Sequence, residues 1–258
     1  MNRTRTLIAA MFAVLAFSAV SAVAAQAENA PYFTVGKVGE TKRLKKGETR
    51  NISAKIFSAT YVLNDTTAKL TITCKANKVA PGAVLLGSEE GEPGTNDEVI
   101  EFSECTAALN GVACTVAQPI VTKPLKSELA EATDKKTGLT LFKPETGTAF
   151  VTLKFTAGPC PESTVTGTVA AEGFFDNAGV KGVKVELGGA KGTAESWLLQ
   201  IIPTTPKKVI KYKAGVGTET SIEPLEVAGT AATLEGTSLI LLANAKGEST
   251  KEFWSPLA

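Results

Sequence analysis

The stretch Lys69-Leu70-Thr71-Ile72-Thr73-Cys74 decides the fold. Leu70, Ile72 and Cys74 alternate with Lys69, Thr71 and Thr73, the period of two that a strand with one covered face requires. The pattern recurs where Val151, Leu153 and Phe155 interleave with Thr152 and Lys154, and where Val183, Val185 and Leu187 interleave with Lys184 and Glu186. Trp197–Ile202 and Leu239–Leu242 are denser apolar runs, suited to strands covered on both faces. Thr164–Val169 carries the β-branched residues that fit a pleated surface. Turn signals separate these runs at Lys46-Gly47, Pro81-Gly82, Pro93-Gly94, Asn177 to Gly179, Gly188-Gly189 and Lys246-Gly247. Many short strands at such spacing predict an all-β fold, an antiparallel β-sandwich or barrel-like, with little or no helix.

One segment competes with this reading. Leu125–Lys136 follows Pro124, spaces Leu125 and Leu129 by four, and sets Glu131 four before Lys135, all of which suit a helix of about three turns. Asp134 to Gly138 equally turns a hairpin into Leu139-Thr140-Leu141-Phe142, and we adopt the hairpin.

Residues 1–27 read as a cleaved secretion signal. Arg3 and Arg5 precede an apolar run from Leu7 to Phe17, and Ala25-Gln26-Ala27 is the small-x-small pattern that predicts cleavage after Ala27. The exported region 28–258, of 258 − 27 = 231 residues, is long enough for one all-β domain or two β subdomains. The expected location is secreted, extracellular or cell-surface associated. The cut carries no Cys for lipid attachment, and Arg3 and Arg5 are not adjacent as a twin-arginine signal needs.

The compartment governs how Cys74, Cys105, Cys114 and Cys160 are read. Four cysteines in an exported chain favour two disulfides. Asn110-Gly111 is a two-residue hairpin turn signal, which sets Leu109 opposite Val112, Ala107 opposite Cys114 and Cys105 opposite Val116. Cys105 and Cys114 are then diagonal, about 7–8 Å apart, which is long for a disulfide. The preferred pairs are Cys74–Cys105 with Cys114–Cys160; the alternative is Cys74–Cys114 with Cys105–Cys160. A structural zinc site is disfavoured, because there is no C-x-x-C pair and no His.

Composition excludes several functions. Without the two leader arginines the balance is 25 − 26 = −1, so no global field recruits nucleic acid or an anionic membrane. No apolar run after the leader approaches the roughly 18–20 residues of a membrane helix. A membrane barrel would show aromatic girdles, and aromatics are sparse. The absence of His removes every Ser-His-Asp triad, Cys-His pair and His-based zinc site. A carboxylate pair acting on a glycoside survives, with Glu89, Glu90, Glu92, Asp97, Glu98, Glu101 and Glu104 as candidates, although two Trp and three Tyr are few for a sugar cleft. The bland alternative for that stretch is a solvated loop leading into a Val99–Phe102 strand, and its spacing does not match an EF-hand.

Other motifs yield no chemistry. Asp65-Thr66-Thr67 lacks the Gly of the aspartic-protease triplet and has no second copy. Gly215-Val216-Gly217 is a turn without a following helix signal. Lys154, flanked by Val151, Leu153 and Phe155, is placed by alternation on the other face from them, which argues against a buried Lys–Asn crosslink. Trp197 and Trp254 read as packing residues. Two basic patches, Lys37, Lys42, Arg43, Lys45, Lys46 and Arg50, and Lys207, Lys208, Lys211 and Lys213, suit contact with acidic wall polymers. They suit better a solvated hairpin whose lysines protect an edge strand.

Leu70-Thr71-Ile72-Thr73-Cys74-Lys75, Phe102-Ser103-Glu104-Cys105-Thr106 with Cys114, Pro124-Leu125-Lys126-Ser127-Glu128-Leu129, Phe150-Val151-Thr152-Leu153-Lys154-Phe155 with Cys160, and the strand before Phe253-Trp254 together resemble a group of uncharacterised exported proteins of soil actinobacteria. The resemblance implies export and a disulfide-bonded β fold, and carries no activity or functional residue with it. The sequence thus points to a non-enzymatic exported protein, an envelope-associated or adhesion-type binding module whose partner is a cell-envelope polymer or another surface protein. It nominates no catalytic, cofactor-binding or metal-binding residue. The alternative is a His-free carboxylate hydrolase of an extracellular polymer using the acids of 89–104.

Overall fold

The computed structural model describes residues 30–37, 40–56, 60–133, 138–173, 184–185, 194–195, 197–202, 211–214, 219–248, 250 and 252–257. The leader and its cleavage position, the turns at 177–179, 188–189 and 215–217, and Val183, Leu187, Lys207 and Lys208 lie outside the described residues. Among the described residues the regular elements are strands. In chain order they begin β1 (Tyr32–Lys37), β2 (Glu40–Arg43), β3 (Thr49–Ile56), β4 (Tyr61–Asp65), β5 (Leu70–Val79), β6 (Val84–Leu86), β7 (Thr95–Glu98) and β8 (Ile100–Leu109). There follow β9 (Val112–Val116), β10 (Ile120–Val121), β11 (Leu125–Ala132), β12 (Gly138–Pro144), β13 (Ala149–Leu153), β14 (Phe155–Ala157), β15 (Ser163–Thr166) and β16 (Val169–Gly173). The last are β17 (Lys184–Val185), β18 (Ala194–Glu195), β19 (Trp197–Ile202), β20 (Lys211–Lys213), β21 (Thr220–Ser221), β22 (Glu226–Val227), β23 (Thr230–Glu235), β24 (Thr237–Leu242) and β25 (Phe253–Leu257).

Two curled antiparallel sheets hold most of these strands. In the first, neighbours run β3-β6-β7-β11-β12-β16-β19-β24, and β24 pairs back onto β3, so the circuit of hydrogen-bonded strands closes. β20 and β21 extend it from the end of β11. In the second the order is β13-β15-β22-β23-β4-β5-β8-β9-β14, with β10 on β8. Its two edge strands, β13 and β14, are consecutive pieces of one segment interrupted at Lys154, so this sheet also curls round on itself. A third sheet, β2-β1-β25, packs Trp254 edge-on against its own Phe33 (centroids 5.5 Å apart) and is fastened to the first where Trp254 donates Nε1–H to Ile240 O at 3.2 Å.

The chain passes between the two large sheets in single runs at Val99 (β7 to β8), Gly167-Thr168 (β15 to β16) and Gly236 (β23 to β24). Two of these passages need glycine. Gly167 has φ +99°, and a Cβ there would lie 2.2 Å from Pro224 O; at Gly236 a Cβ would lie 2.4 Å from the Tyr61 ring. Thr164–Val169 is therefore two strands, broken by the bend at Gly167, where the sequence suggested one. One apolar cluster spans both sheets, taking Ile52, Leu85, Leu125, Leu129 and Ile240 from the first and Leu63, Ile72, Leu153, Val165 and Val227 from the second, and a smaller one gathers Ala130, Leu139, Leu141, Ala170, Tyr212 and Ile222 on the first. Each Val, Leu or Ile among them, fully buried, contributes about 1.5–3 kcal/mol.

The alternating segments take the faces their pattern assigns. Leu70, Ile72 and Cys74 are buried while Thr71 and Thr73 are half-buried, and Lys154 is exposed. Leu125–Ala132 is a strand, paired with β12 from Leu125↔Pro144 to Glu131↔Gly138, so the hairpin wins over the helix. Leu125, Ser127 and Leu129 are covered at every second position, a period that the four-residue spacing of the two leucines fits as well as it fits a helical turn, and Ala130 and Ala132 are covered on the other face. The Asn110-Gly111 turn has φ of +52° and +79°, with Leu109↔Val112 and Ala107↔Cys114 in register.

The four cysteines form two disulfides, Cys74–Cys105 across β5 and β8, and Cys114–Cys160 from β9 to the segment after β14. The β8–β9 ladder ends at Ala107↔Cys114, so Cys105 does not pair with Val116 as the hairpin pattern extrapolated. Instead the Gln118 side chain occupies the ladder position: Cys105 N–H donates to its Oε1 at 2.8 Å, and its Nε2 donates to Cys105 O at 2.9 Å.

Candidate functional site

The acidic stretch does not stay together. Glu89 and Glu92 lie exposed in the β6–β7 loop, Glu101 is half-buried in β8 with Lys78 at 3.1 Å, and Glu104 is exposed at φ +54°. Glu98 is no part of a solvated loop. It ends β7 with its side chain inside, 6% exposed. Asn96 Nδ2 and Ser127 Oγ each donate to its Oε1 at 2.7 Å. The pleat supplies both donors, since Asn96 is two residues away on the same face and Ser127 pairs directly with Asn96 in β11. Burial pushes the Glu98 carboxyl up to about 7, with Asp97 adding to the rise and the two hydrogen bonds opposing it.

Beside Glu98, a cavity of about 40 Å³ is lined by Tyr61, Asn77, Ile100, Phe102, Phe150 and Ser238 among others. The Tyr61 hydroxyl and Ser238 Oγ share a short hydrogen bond, and Asn77 Nδ2 donates to the same Ser238 Oγ at 2.9 Å. Asn77 Oδ1 is buried without a hydrogen-bond partner. Burial raises the Tyr61 hydroxyl to about 12, opposed by the Ser238 bond and reinforced by Glu98. The cluster ties β4 and β5 of the second sheet to β24 of the first. As chemistry it offers one enclosed, proton-holding carboxyl. Asp97 follows the alternate parity to Asn96 and Glu98, so it does not complete the facing carboxylate pair that glycoside hydrolysis uses.

The first basic patch meets the acidic loop. Lys46 Nζ lies 3.2 Å from Glu89 and 3.9 Å from Glu92, and Arg43 donates to Glu89 O and covers the Tyr32 ring at 4.2 Å. β2 is an edge strand of its sheet, so the lysines stand where they hinder strand addition. In the second patch Lys211 pairs with Glu219 at 2.8 Å. Asp65 caps its own turn: Thr67 N–H and Ala68 N–H donate to Oδ1 at 2.9 Å, and Thr230 Oγ1 donates to Oδ2. Trp254 is buried packing. No group of three potential metal ligands gathers among the described residues.

An open cleft of about 370 Å³ lies on the first sheet's flank, which the sequence did not suggest. Lys143, Pro144, Gly147 and Thr148 come from the β12–β13 connection, Gly167 and Thr168 from the β15–β16 bend, and Tyr212, Thr220, Ser221 and Glu223 from β20 onward. Pairing of Ala132 with Tyr212 and of Tyr212 with Thr220 holds one side, and a Thr168 N–H to Glu223 O bond of 3.3 Å holds the other. Lys143 Nζ donates to Glu128 Oε1 at 2.8 Å and to Tyr212 Oη at 3.2 Å. Burial lowers the Lys143 ammonium, but its bonds to Glu128 and Tyr212 outweigh that and leave it raised. No protein family, curated protein or solved structure matches the chain, so these arrangements are read on their own chemistry.

Proposed function

We propose that the protein is an exported, non-enzymatic binding module that acts at or outside the cell surface, on a cell-envelope polymer or another surface protein. The observation that carries the binding reading is the open cleft of about 370 Å³, within the roughly 300–1,000 Å³ range of small-ligand sites and walled by paired strands. Export is supported by the leader pattern and by two disulfides, which persist in oxidising compartments. The enclosure of Glu98 argues against the hydrolase alternative, because a polymer does not reach a carboxyl 6% exposed. Purified, oxidised residues 28–258 are applied to cell walls of the producing organism at low and high salt. Retention at both is expected. No retention, or turnover of a wall polymer abolished by Glu98→Ala and Glu101→Ala, overturns the proposal.

A further inference from the structure

We infer that the cleft between the β12–β13 connection and β20–β21 takes a neutral, hydroxyl-rich ligand, a short segment of uncharged glycan; this rests on the binding reading above and names its ligand class. The lining is dominated by groups that both donate and accept. Thr148 and Ser221 are exposed, Thr220 stands beside Ser221, and the Tyr212 hydroxyl lies at the inner wall. A hydroxyl has one donor and two acceptor sites, the same inventory as the hydroxyls of a sugar, so either partner can supply either half of each bond.

The charges point the same way. Lys143 is the cation of the lining, and Glu128 and Tyr212 already take two of its three donors. The third suits a neutral oxygen; an anion gains little from an ammonium whose charge Glu128 answers at 2.8 Å, and it also meets the exposed Glu223. A cationic ligand finds among the described residues of the lining only the exposed Glu223 to pair with, a solvent-screened partner worth little. The walls are preformed by the β11–β20 and β20–β21 ladders and by the Lys211–Glu219 pair at 2.8 Å, so ordering them costs a ligand little. Gly147 has open space around it, which leaves the rim low enough for a chain to pass across.

The test is titration calorimetry of the oxidised full exported chain with chitohexaose, cellohexaose and maltohexaose, and with inorganic phosphate as the anionic probe. At least one neutral hexasaccharide is expected to bind. Ser221→Ala should weaken it about two- to tenfold, the worth of one neutral hydrogen bond. Thr148→Trp, an exposed position where a large ring fills the cleft, should weaken it further. Binding of phosphate in place of the saccharides, binding of none of the probes, or saccharide binding untouched by both variants overturns the inference. Wall retention separates the two proposals. Wall retention without saccharide binding refutes the cleft and leaves the envelope reading standing, while saccharide binding without wall retention refutes the envelope reading and leaves the cleft.

Discussion

Replacing Glu98 by Gln should make the protein more stable at neutral pH and remove a specific pH dependence. The folded state holds the Glu98 proton to about 7 against an ordinary 4.5, so the fold binds a proton that the unfolded chain has released over that interval. A carboxyl raised on folding contributes its stability below the unfolded value, loses it progressively as pH climbs from about 4.5 to about 7, and contributes nothing further above. At about 1.4 kcal/mol per pH unit the loss amounts to ~3 kcal/mol. The Gln carbonyl still accepts from Asn96 and Ser127, and its amide takes the place of the protonated oxygen. Urea unfolding of both oxidised chains at pH 4.5 and pH 8 gives a double difference in which other titrating groups cancel. We expect that difference to be ~3 kcal/mol in favour of the variant at the higher pH, or a rise in Tm of roughly 6–12 °C for a chain of this length. Parallel stability curves for the two chains would refute the burial argument, because they would mean that Glu98 ionises as freely in the fold as in the unfolded chain.

Three further outcomes follow from local geometry. Ala228 precedes Gly229 in the β22–β23 turn with φ +48°, a conformation that Asn tolerates and Ala does not, so Ala228→Asn should raise stability by about 1 kcal/mol, read by thermal unfolding. Gly236→Ala drives a methyl to 2.4 Å from the Tyr61 ring and should cost about 1–3 kcal/mol, with a fall in the denaturant midpoint; an unchanged midpoint would show that the Tyr61 ring gives way freely. Loss of Cys74–Cys105 by Cys74→Ser, which opens a crosslink of sequence separation 31, should cost about 2–5 kcal/mol and reduce secreted yield.

Much of the fold was legible because the deciding signals are local. Leu70, Ile72 and Cys74 expose their parity within five residues, and Asn110-Gly111 sets its own register without help from distant chain. Glu98 was hidden because β7 reads Thr95-Asn96-Asp97-Glu98, with no apolar residue to mark a covered face. The available signal was parity: Glu98 shares its phase with Ile100 and Phe102, and all three line one cavity. The cleft was illegible for another reason. Its walls come from residues 143–148, 167–168, 212 and 220–223, which are brought together by β20 pairing onto β11 beside β12 and by the Thr168–Glu223 backbone bond. The Lys46–Glu89 pair is likewise a product of tertiary structure, joining a basic and an acidic patch that each looked solvated alone.

The two disulfides sit at places of unequal need, and that difference can be measured. Cys74 and Cys105 face each other within the long β5–β8 ladder, which runs from Leu70↔Leu109 to Val79↔Ile100 and holds those strands without them. Cys114 and Cys160 stand at the seam where the second sheet curls round. There β9 meets β14 through Val116↔Phe155 and Thr115↔Ala157, with a register shift between them, and Ala117 N–H donates to Lys154 O at 2.8 Å; Gly158 packs so close to Cys114 that a Cβ would lie 2.8 Å from its Cα. So short a seam opens at smaller cost than the long ladder, whose opening requires exposing Leu70, Ile72 and Ala107 of the core. Loss of Cys114–Cys160 by a double Ser substitution should therefore speed hydrogen exchange locally, at residues 114–117 and 155–157, well before global unfolding. Loss of Cys74–Cys105 should leave the β5–β8 amides protected up to the global limit and lower only that limit. Equal, delocalised acceleration in both variants would refute the assignment of the second disulfide to the seam, and would mean that the curled sheet opens and closes as one cooperative unit.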